Sequence, residues 1–262
     1  MAEYRSVSQL KEYQKCAYAY YLHRIENAWE RPAAWLPQGL AVHEAAEAWE
    51  RSGRTMSLEQ AQDVFKSSYA THTNRLAGDT PNFEYWFSSG PYKGETDAAR
   101  RLGIGLEQVE KYIRYYMEAA PEQVIWITPS GQPAIELGFD IDLDGVRVKG
   151  FIDQVISIDE HGEPIVRDIK TGNKPGDDFQ LAVYAVAMNE MYGTDIKTGD
   201  YWMGRQGKPT KENYDLEVWT KEKVSEEFHK VDQSIRAGDF PASPEADKCR
   251  FCSVASACGF RI

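Results

Sequence analysis

The sequence predicts a mixed α/β fold, with a helical N-terminal layer followed by a strand-rich core. Three observations predict it. Up to about residue 120, apolar side chains recur at helical spacing. Between residues 122 and 170 they gather instead into β-branched runs broken by turn residues, and "DFQLAVYAVAMNEMYG" then restores a helical period before further strands. With 262 residues, 42% hydrophobic and 12% aromatic, the chain carries enough apolar surface for a sizeable core.

"SVSQLKEYQKCAYAYYLHRIENAW" begins as an amphipathic helix that Ser6 or Ser8 can cap, with Leu10, Tyr13, Ala17 and Tyr20 on one face. Cys16 therefore lies on or near a helix. "LPQGLAVHEAAEAWERSG" is a second helix, entered through Pro37 and Gly39 and ended by Gly53. Residues 57–76 are a third. Segment 77–96, "AGDTPNFEYWFSSGPYKGET", has no period and predicts a loop or lid, whose Tyr85, Trp86, Phe87 and Tyr92 are candidates for stacking on bases or for a plug on the core. A long helix over about 96–119 follows. "EQVIWIT", "PAIELGFDIDL", "VRVKGFIDQVISI" and "PIVRDIK" predict a meander of three or four strands, with turns at Asp144-Gly145 and His161-Gly162. After the helix ending at Gly193, "DIKTGDYWM" and "YDLEVWT" predict strands and 220–237 a helix. Residues 238–262 form a cysteine-bearing tail.

The formal net charge of −11 argues against a protein that coats polyphosphate, although a local basic groove or bound metal ions can reverse the field at a site. No apolar run of about 18 residues exists and the first residues lack a signal pattern, so a soluble cytoplasmic protein with no membrane partner is expected. Cys249, Cys252 and Cys258 stand as C-x2-C-x5-C, with Cys16 far away in sequence. In a reducing compartment, clustered thiols more often hold a metal or an iron–sulfur centre than a disulfide.

The chemistry concentrates in "VKGFIDQVISIDEHGEPIVRDIKTG". Asp153, Asp168 and Lys170 stand among Ile, Val and Phe, where an unpaired charge is costly. Residues two apart on a strand share a face, so Asp168 and Lys170 point into one cleft that Asp153 can reach from the neighbouring strand. Two such carboxylates bind Mg²⁺ or Mn²⁺ through oxygen, and a lysine beside them can orient a nucleophile or offset negative charge. Taken singly, each Asp is more often a surface turn acid; the joint arrangement is harder to explain that way. His43 would complete a mixed nitrogen and oxygen site if it lay beside them, and Glu136 falls on the strand next to that of Asp153.

"GFIDQV…VRDIKTG…DFQLAVYA" resembles the PD-(D/E)XK nuclease superfamily, in particular RecB-type exonucleases and their CRISPR-associated iron–sulfur relatives. "SVSQLKEYQKCAYAYYL", "GLAVHEAAE", Gln180-x-x-x-Tyr184 and the triple cysteine match that group's signatures in order from residue 6 to 258, while residues 50–130 match only loosely. Ala17 stands where a proline usually follows the cysteine. The resemblance implies a restriction-endonuclease-like core, a mixed sheet flanked by helices. It implies one nuclease domain over residues 1–262: a helical part about 1–120, a catalytic core about 121–237, and a tail 238–262 joined to Cys16. It implies metal ligands at His43, Asp153, Asp168 and the Ile169 carbonyl, a catalytic Lys170 with Glu136 as a further acid, and DNA contacts from Gln180 and Tyr184. Lys174 and Arg167 are the further cations expected near DNA. The four cysteines resemble ligands of a [4Fe–4S] cluster, with structural Zn²⁺ the alternative.

Together these readings predict a Mg²⁺- or Mn²⁺-dependent DNA exonuclease of recombination, repair or phage metabolism, acting on single strands or free ends in a bacterial or phage-infected cell. No P-loop motif is present to drive unwinding, so single strands or frayed ends are the expected substrate, and a recombinase, helicase or CRISPR-type protein is the kind of partner expected. The alternative is a non-catalytic DNA-end-binding or scaffold protein that kept the fold.

Overall fold

A computed structural model describes residues 4–158 and 162–262. In chain order it has α1 (Val7–Lys15), α2 (Ala17–Tyr20), α3 (Trp35–Arg51), α4 (Leu58–Asp79), α5 (Gly94–Arg114), β1 (Gln123–Ile125), β2 (Ile135–Leu143), β3 (Val146–Ile158), β4 (Ile165–Lys170), α6 (Asp178–Tyr192), β5 (Thr198–Met203), β6 (Lys208–Pro209), β7 (Tyr214–Asp215), α7 (Lys221–Ala237) and α8 (Ala246–Arg250). The turn expected at His161-Gly162 falls partly on residues 159–161, outside those described. Among the described residues no helix is long and apolar enough to cross a membrane.

Local chemistry sets most boundaries. Ser6 caps α1 by accepting from the Gln9 N–H, and Ser57 and Gln60 form a reciprocal capping box on α4. Cys16 adopts an extended conformation and breaks the first helix in two. The sequence predicts one continuous helix to residue 119; α5 instead ends at Arg114 and the last turn, Tyr115–Ala119, widens to a π-helix. Asp144 and Gly145 both take positive φ, which suits the two-residue turn joining β2 to β3. One expected strand is much shorter than its apolar run. "YDLEVWT" pairs only at Tyr214–Asp215, because the Glu217 N–H turns back to the Asp215 carboxylate.

Among the described residues the sheet has the order β1-β3-β4-β5-β6, with β2 also on β3 and β7 also on β5. The meander β2–β3–β4 is antiparallel, whereas β4 and β5 are parallel and joined through α6. The chain divides into two compact units: Ala33–Gly138 with Phe151–Val218, and Met1–Pro32 with Phe139–Gly150 and Trp219–Ile262.

In the larger unit, Ala41, Val42, Ala45 and Trp49 of α3 pack with Phe65 and Tyr69 of α4, Val109 and Tyr112 of α5, and Ile156, Ile169 and Trp202 of the sheet. A polar chain runs through this core. Arg167 makes two 2.6 Å bonds to Asp200 and also donates to Tyr116 and Gln123. In the smaller unit Arg5 lies 2.7 Å from Asp232 of α7, and its backbone pairs with β3 at Val148. His229 and Ser225 of α7 bond Leu143 and Asp144 at the hairpin turn.

The α4–α5 contact depends on Gly105, where an added Cβ would meet the Phe65 ring at 2.0 Å, whereas one at Gly103 meets nothing within 4 Å. Gly105→Ala should therefore destabilise the fold by about 1–3 kcal/mol through overpacking. Gly103→Ala should stabilise it by about 0.5–1 kcal/mol through helix propensity alone. Urea unfolding of the two variants checks this; equal effects would mean that the helix contact yields freely.

Candidate active site

The site forms where β3 and β4 part. Their ladder pairs Gln154 with Arg167, and the next position along that register sets Asp153 opposite Asp168. There the main chain of Ile169 turns to other partners. Its N–H donates to Asp153 Oδ2 at 2.8 Å, and its carbonyl accepts from His43 Nε2 at 2.9 Å. The two-residue turn after Leu143 fixes the other neighbour: counting back from it sets Glu136 of β2 opposite Asp153. Glu136 has φ 43°, a left-handed conformation that costs a β-region residue of its kind about 1 kcal/mol or more. Arg51 holds the preceding carbonyl, donating to Ile135 O at 3.0 Å.

His43 is the meeting point. Its Nδ1 lies 3.2 Å from Glu136 Oε1 and 3.5 Å from Asp153 Oδ2. Ligand atoms of His43, Glu136 and Asp153 all fall within 4.8 Å of one another, a nitrogen-and-oxygen set that one hard divalent cation can span. Burial alone would lower the imidazole pKa, but Asp153, Glu136 and Asp168 outweigh it and push it up to about 9. Burial raises the Asp153 carboxyl, against the opposing pull of His43.

On the same sheet face Asp168 is almost fully enclosed. Lys170 Nζ lies 2.7 Å from its Oδ2, while Gln180 Nε2 at 2.5 Å and Tyr184 Oη at 3.3 Å donate to its Oδ1. Gln180 also accepts from Lys170 at 3.3 Å, so one side chain of α6 links both groups. Burial and then the neighbouring Asp153 raise Asp168 to about 6, with Lys170 pulling the other way. Burial, with Asp153 and Asp168 nearby, also keeps the Tyr184 phenol protonated.

Of the residues singled out in the sequence, the fold brings together His43, Glu136, Asp153, Asp168, Ile169, Lys170, Gln180 and Tyr184. Arg167 does not join them. It points to the opposite face of β4, is 1% exposed, and spends its guanidinium on Asp200, Tyr116 and Gln123, so it is not available to DNA. Lys174 stands exposed in the segment between β4 and α6. Two of the four loop aromatics are likewise not free to stack on bases: Trp86 lies flat on Phe83 and donates to Thr80 O, and Phe87 packs on Trp35. Tyr85 and Tyr92 remain exposed.

Two features escaped sequence reading. Tyr201, paired with Asp168 across the parallel ladder, places its ring 5.3 Å from Lys170 Nζ. Gln108 Nε2 holds the Thr171 carbonyl at 2.9 Å and is itself bonded to Gln38, which accepts from Arg101. This amide pair anchors the backbone just past Lys170. Gln38, Gln108 and Tyr201 carry no local signal in the sequence, and only the topology brings them to the site.

The cysteines lie in the smaller unit. Cys249 lies within the short α8, Cys252 donates its N–H to Cys249 O, and Cys258 follows a 3₁₀ turn. The tail is fastened to the first 32 residues: Ser253 O accepts from the Arg31 N–H, Pro241 O from the Tyr18 N–H, and Phe260 meets Tyr18 edge-on. Burial raises the Cys252 thiol, and Cys16 and Cys258 reinforce the shift, so these thiols stand within electrostatic reach of one another.

The sequence model of the PD-(D/E)XK nuclease superfamily matches residues 4–259. The chain is 52% identical to the "Gene 69 protein" of Mycobacterium phage D29 over 262 residues, covering 97% of this chain and 96% of that one. It is 50% identical to the "Gene 69 protein" of Mycobacterium phage L5, covering 97% and 95%. The solved structure of SSO0001 is 13% identical with a TM-score of 0.35, over 63% of this chain and 79% of that chain.

With divalent cations chelated, the His43 ring should titrate near 9 when followed by NMR. Asp153→Asn, which removes its strongest raising partner, should bring it back towards the ordinary value of about 6.5. Because the folded pKa exceeds the unfolded one, the charged ring stabilises the fold fully below about pH 6.5 and loses that effect as pH rises through 9. A ring titrating at its ordinary value in the wild-type chain would contradict the arrangement.

Proposed function

Because this chain belongs to the PD-(D/E)XK nuclease superfamily, we propose that it is a divalent-metal-dependent deoxyribonuclease acting as an exonuclease on single strands or free DNA ends. The observation that carries the reading is the 2.7 Å pair of Lys170 with Asp168, on the sheet face that also presents Asp153, beside the His43–Glu136–Asp153 cluster. Relatives encoded by two mycobacteriophages support a role in phage DNA metabolism within an infected cell.

The donor set fits Mg²⁺ or Mn²⁺: carboxylates from Asp153, Asp168 and Glu136, the Ile169 carbonyl and the His43 imidazole, all hard or borderline ligands. Such an ion, when bound, supplies Lewis acidity, polarising a phosphoryl oxygen and acidifying water. The side chains do the remainder. His43 gives up the proton that its acidic neighbours stabilise before its nitrogen can serve as a ligand. Lys170, held between Asp168 and Gln180 and above the Tyr201 ring, keeps its ammonium where it can orient a water and offset charge on the phosphate. Gln180 and Tyr184 fix the Asp168 carboxylate, so that its geometry does not relax when substrate arrives.

The reading extends to the smaller unit, where Cys16, Cys249, Cys252 and Cys258 form the donor set of a [4Fe–4S] cluster in the manner of RecB-type iron–sulfur nucleases. That Cys16 and Cys258 stand close enough to Cys252 to add to the rise of its thiol, which burial chiefly causes, supports it. A cluster there would join residue 16 to the tail and close a very long loop. Structural zinc has the same donor requirement.

Two measurements test these roles. Lys170→Ala and Asp153→Asn should each reduce cleavage of end-labelled single strands by about 10²-fold or more while the chain stays folded. Asp168→Asn should additionally weaken divalent-cation binding. Near wild-type cleavage in the Lys170 or Asp153 variant would sink the assignment. A wild-type chain that binds DNA ends with metal but never cuts would favour a scaffold role. Anaerobically purified protein should be brown and hold about four irons per chain. Cys16→Ala and Cys258→Ala should lose that centre alike and unfold at lower temperature. A colourless protein with about one zinc per chain would replace the cluster by a Cys₄ zinc site, and a Cys16→Ala chain of unchanged metal content would exclude Cys16 as a ligand.

A further inference from the structure

Phe151 is 64% exposed, although it is a large apolar ring in the middle of a strand. Single exposed apolar residues are ordinary on protein surfaces, so exposure alone says little. Its position says more. Phe151 is two residues before Asp153 on β3, so the two side chains emerge from one face of the strand roughly 7 Å apart. Continuing the β3–β4 register past Asp153 sets Phe151 across from the position of Lys170, where the two strands have already separated. Its partner on β2, by the count from the hairpin turn that sets Glu136 against Asp153, is Gly138.

The glycine matters. A Cβ at position 138 would come within 3.4 Å of Phe151 Cε1 and 3.7 Å of its Cδ1, so the ring leans over bare backbone. Glu136 and Gly138 thus stand opposite Asp153 and Phe151: a charged pair, then a ring on glycine, one strand step apart. An aromatic ring backed by main chain keeps few conformations to lose on binding and leaves its outer side to solvent.

A second apolar feature adjoins the site from α3. Leu40, 47% exposed, precedes His43 by three residues and Leu36, 53% exposed, by seven, so both share the helical stripe of His43. The charged centre is therefore flanked, from β3 and from α3, by uncovered apolar side chains. A phosphodiester accounts for the charged centre. It does not account for the apolar groups, which fit the part of a nucleotide that is flat and apolar on its faces.

We propose that Phe151 stacks on an unpaired nucleobase next to the phosphate held at Asp153 and Asp168, with Leu40 contacting the same strand from the opposite side. This rests on the nuclease reading and sharpens it. In a duplex both faces of an interior base are covered by its neighbours, so a ring that needs a free face selects single strands or frayed ends. Recognition by stacking is tolerant of sequence, because every base offers a π-face.

The experiment uses the full-length protein, a set of single-stranded oligonucleotides with one abasic position moved along the chain, and cleavage in Mn²⁺ alongside binding in Ca²⁺. Phe151→Ala should raise KM and Kd for intact strands about 10-fold or more and lower kcat less, with an unchanged Tm because the ring is exposed. Phe151→Tyr should restore most of the binding. In the wild type one abasic position should cause a comparable loss, and that position should cost Phe151→Ala nothing further, the non-additivity expected of direct partners. Leu40→Ala should weaken the same oligonucleotides by a smaller factor. An abasic profile identical in wild type and Phe151→Ala, or unchanged KM and Kd in that variant, would overturn the proposal while leaving the nuclease intact. A wild-type chain that cuts nothing would instead defeat the nuclease reading, and the Ca²⁺ binding series would then decide the stacking role by itself.

Discussion

Two carboxylates enclosed at the parting of β3 and β4 set the terms for the larger unit. Asp153 and Asp168 face each other across a ladder that ends at their position, and neither reaches bulk water easily. Isolated charges in such a place would be prohibitive, so every neighbouring element contributes a partner. β4 supplies Lys170 and the Ile169 N–H, α6 supplies Gln180 and Tyr184, α3 supplies His43 and β5 places Tyr201 against the ammonium.

The balance among these groups is deliberately incomplete. Asp168 stays raised to about 6 even with Lys170 in contact, and His43 is driven up to about 9 by a surplus of negative charge. Like charges held close by a rigid scaffold are a stored cost that a divalent cation relieves. The left-handed backbone at Glu136 adds to the same store, since Arg51 and the hairpin register hold it there. The opposite face of the same strand shows the contrast. Arg167 and Asp200 neutralise each other in two short bonds and add Tyr116 and Gln123, leaving no charge to react with anything.

The smaller unit follows a different logic. Its helices are short at the start, α1 broken by Cys16 and followed by a single π-helical turn, and its last residues form only α8 and a 3₁₀ turn. Packing between Phe240 and Tyr13, Tyr20 and Tyr21, with a few main-chain bonds, holds the tail in place. Apolar burial thins towards the tail: among the described residues beyond Ile235, Val254 is the one fully buried apolar side chain, whereas Leu10 and Tyr20 anchor the first helices.

Much of this was legible in sequence. Helical spacing located α1, α3, α4, α6 and α7, since an apolar stripe must recur at 3.6 residues whatever it packs against. The spacing of Asp168 and Lys170 placed them on one face, because a strand alternates with period two. What local pattern could not supply was distance between elements. The closeness of Glu136 to His43, the parallel partner Tyr201, the amide pair Gln38–Gln108 and the outward-facing Phe151 all depend on register and sheet order. Arg167 was expected beside DNA although strand alternation sets it on the face of β4 opposite Lys170; the acid that holds it, Asp200 on β5, is visible only in the fold. Periodicity is a property of one chain segment, whereas pairing is chosen by the total burial and charge balance of segments far apart, so only the folded structure decided which residues share the site.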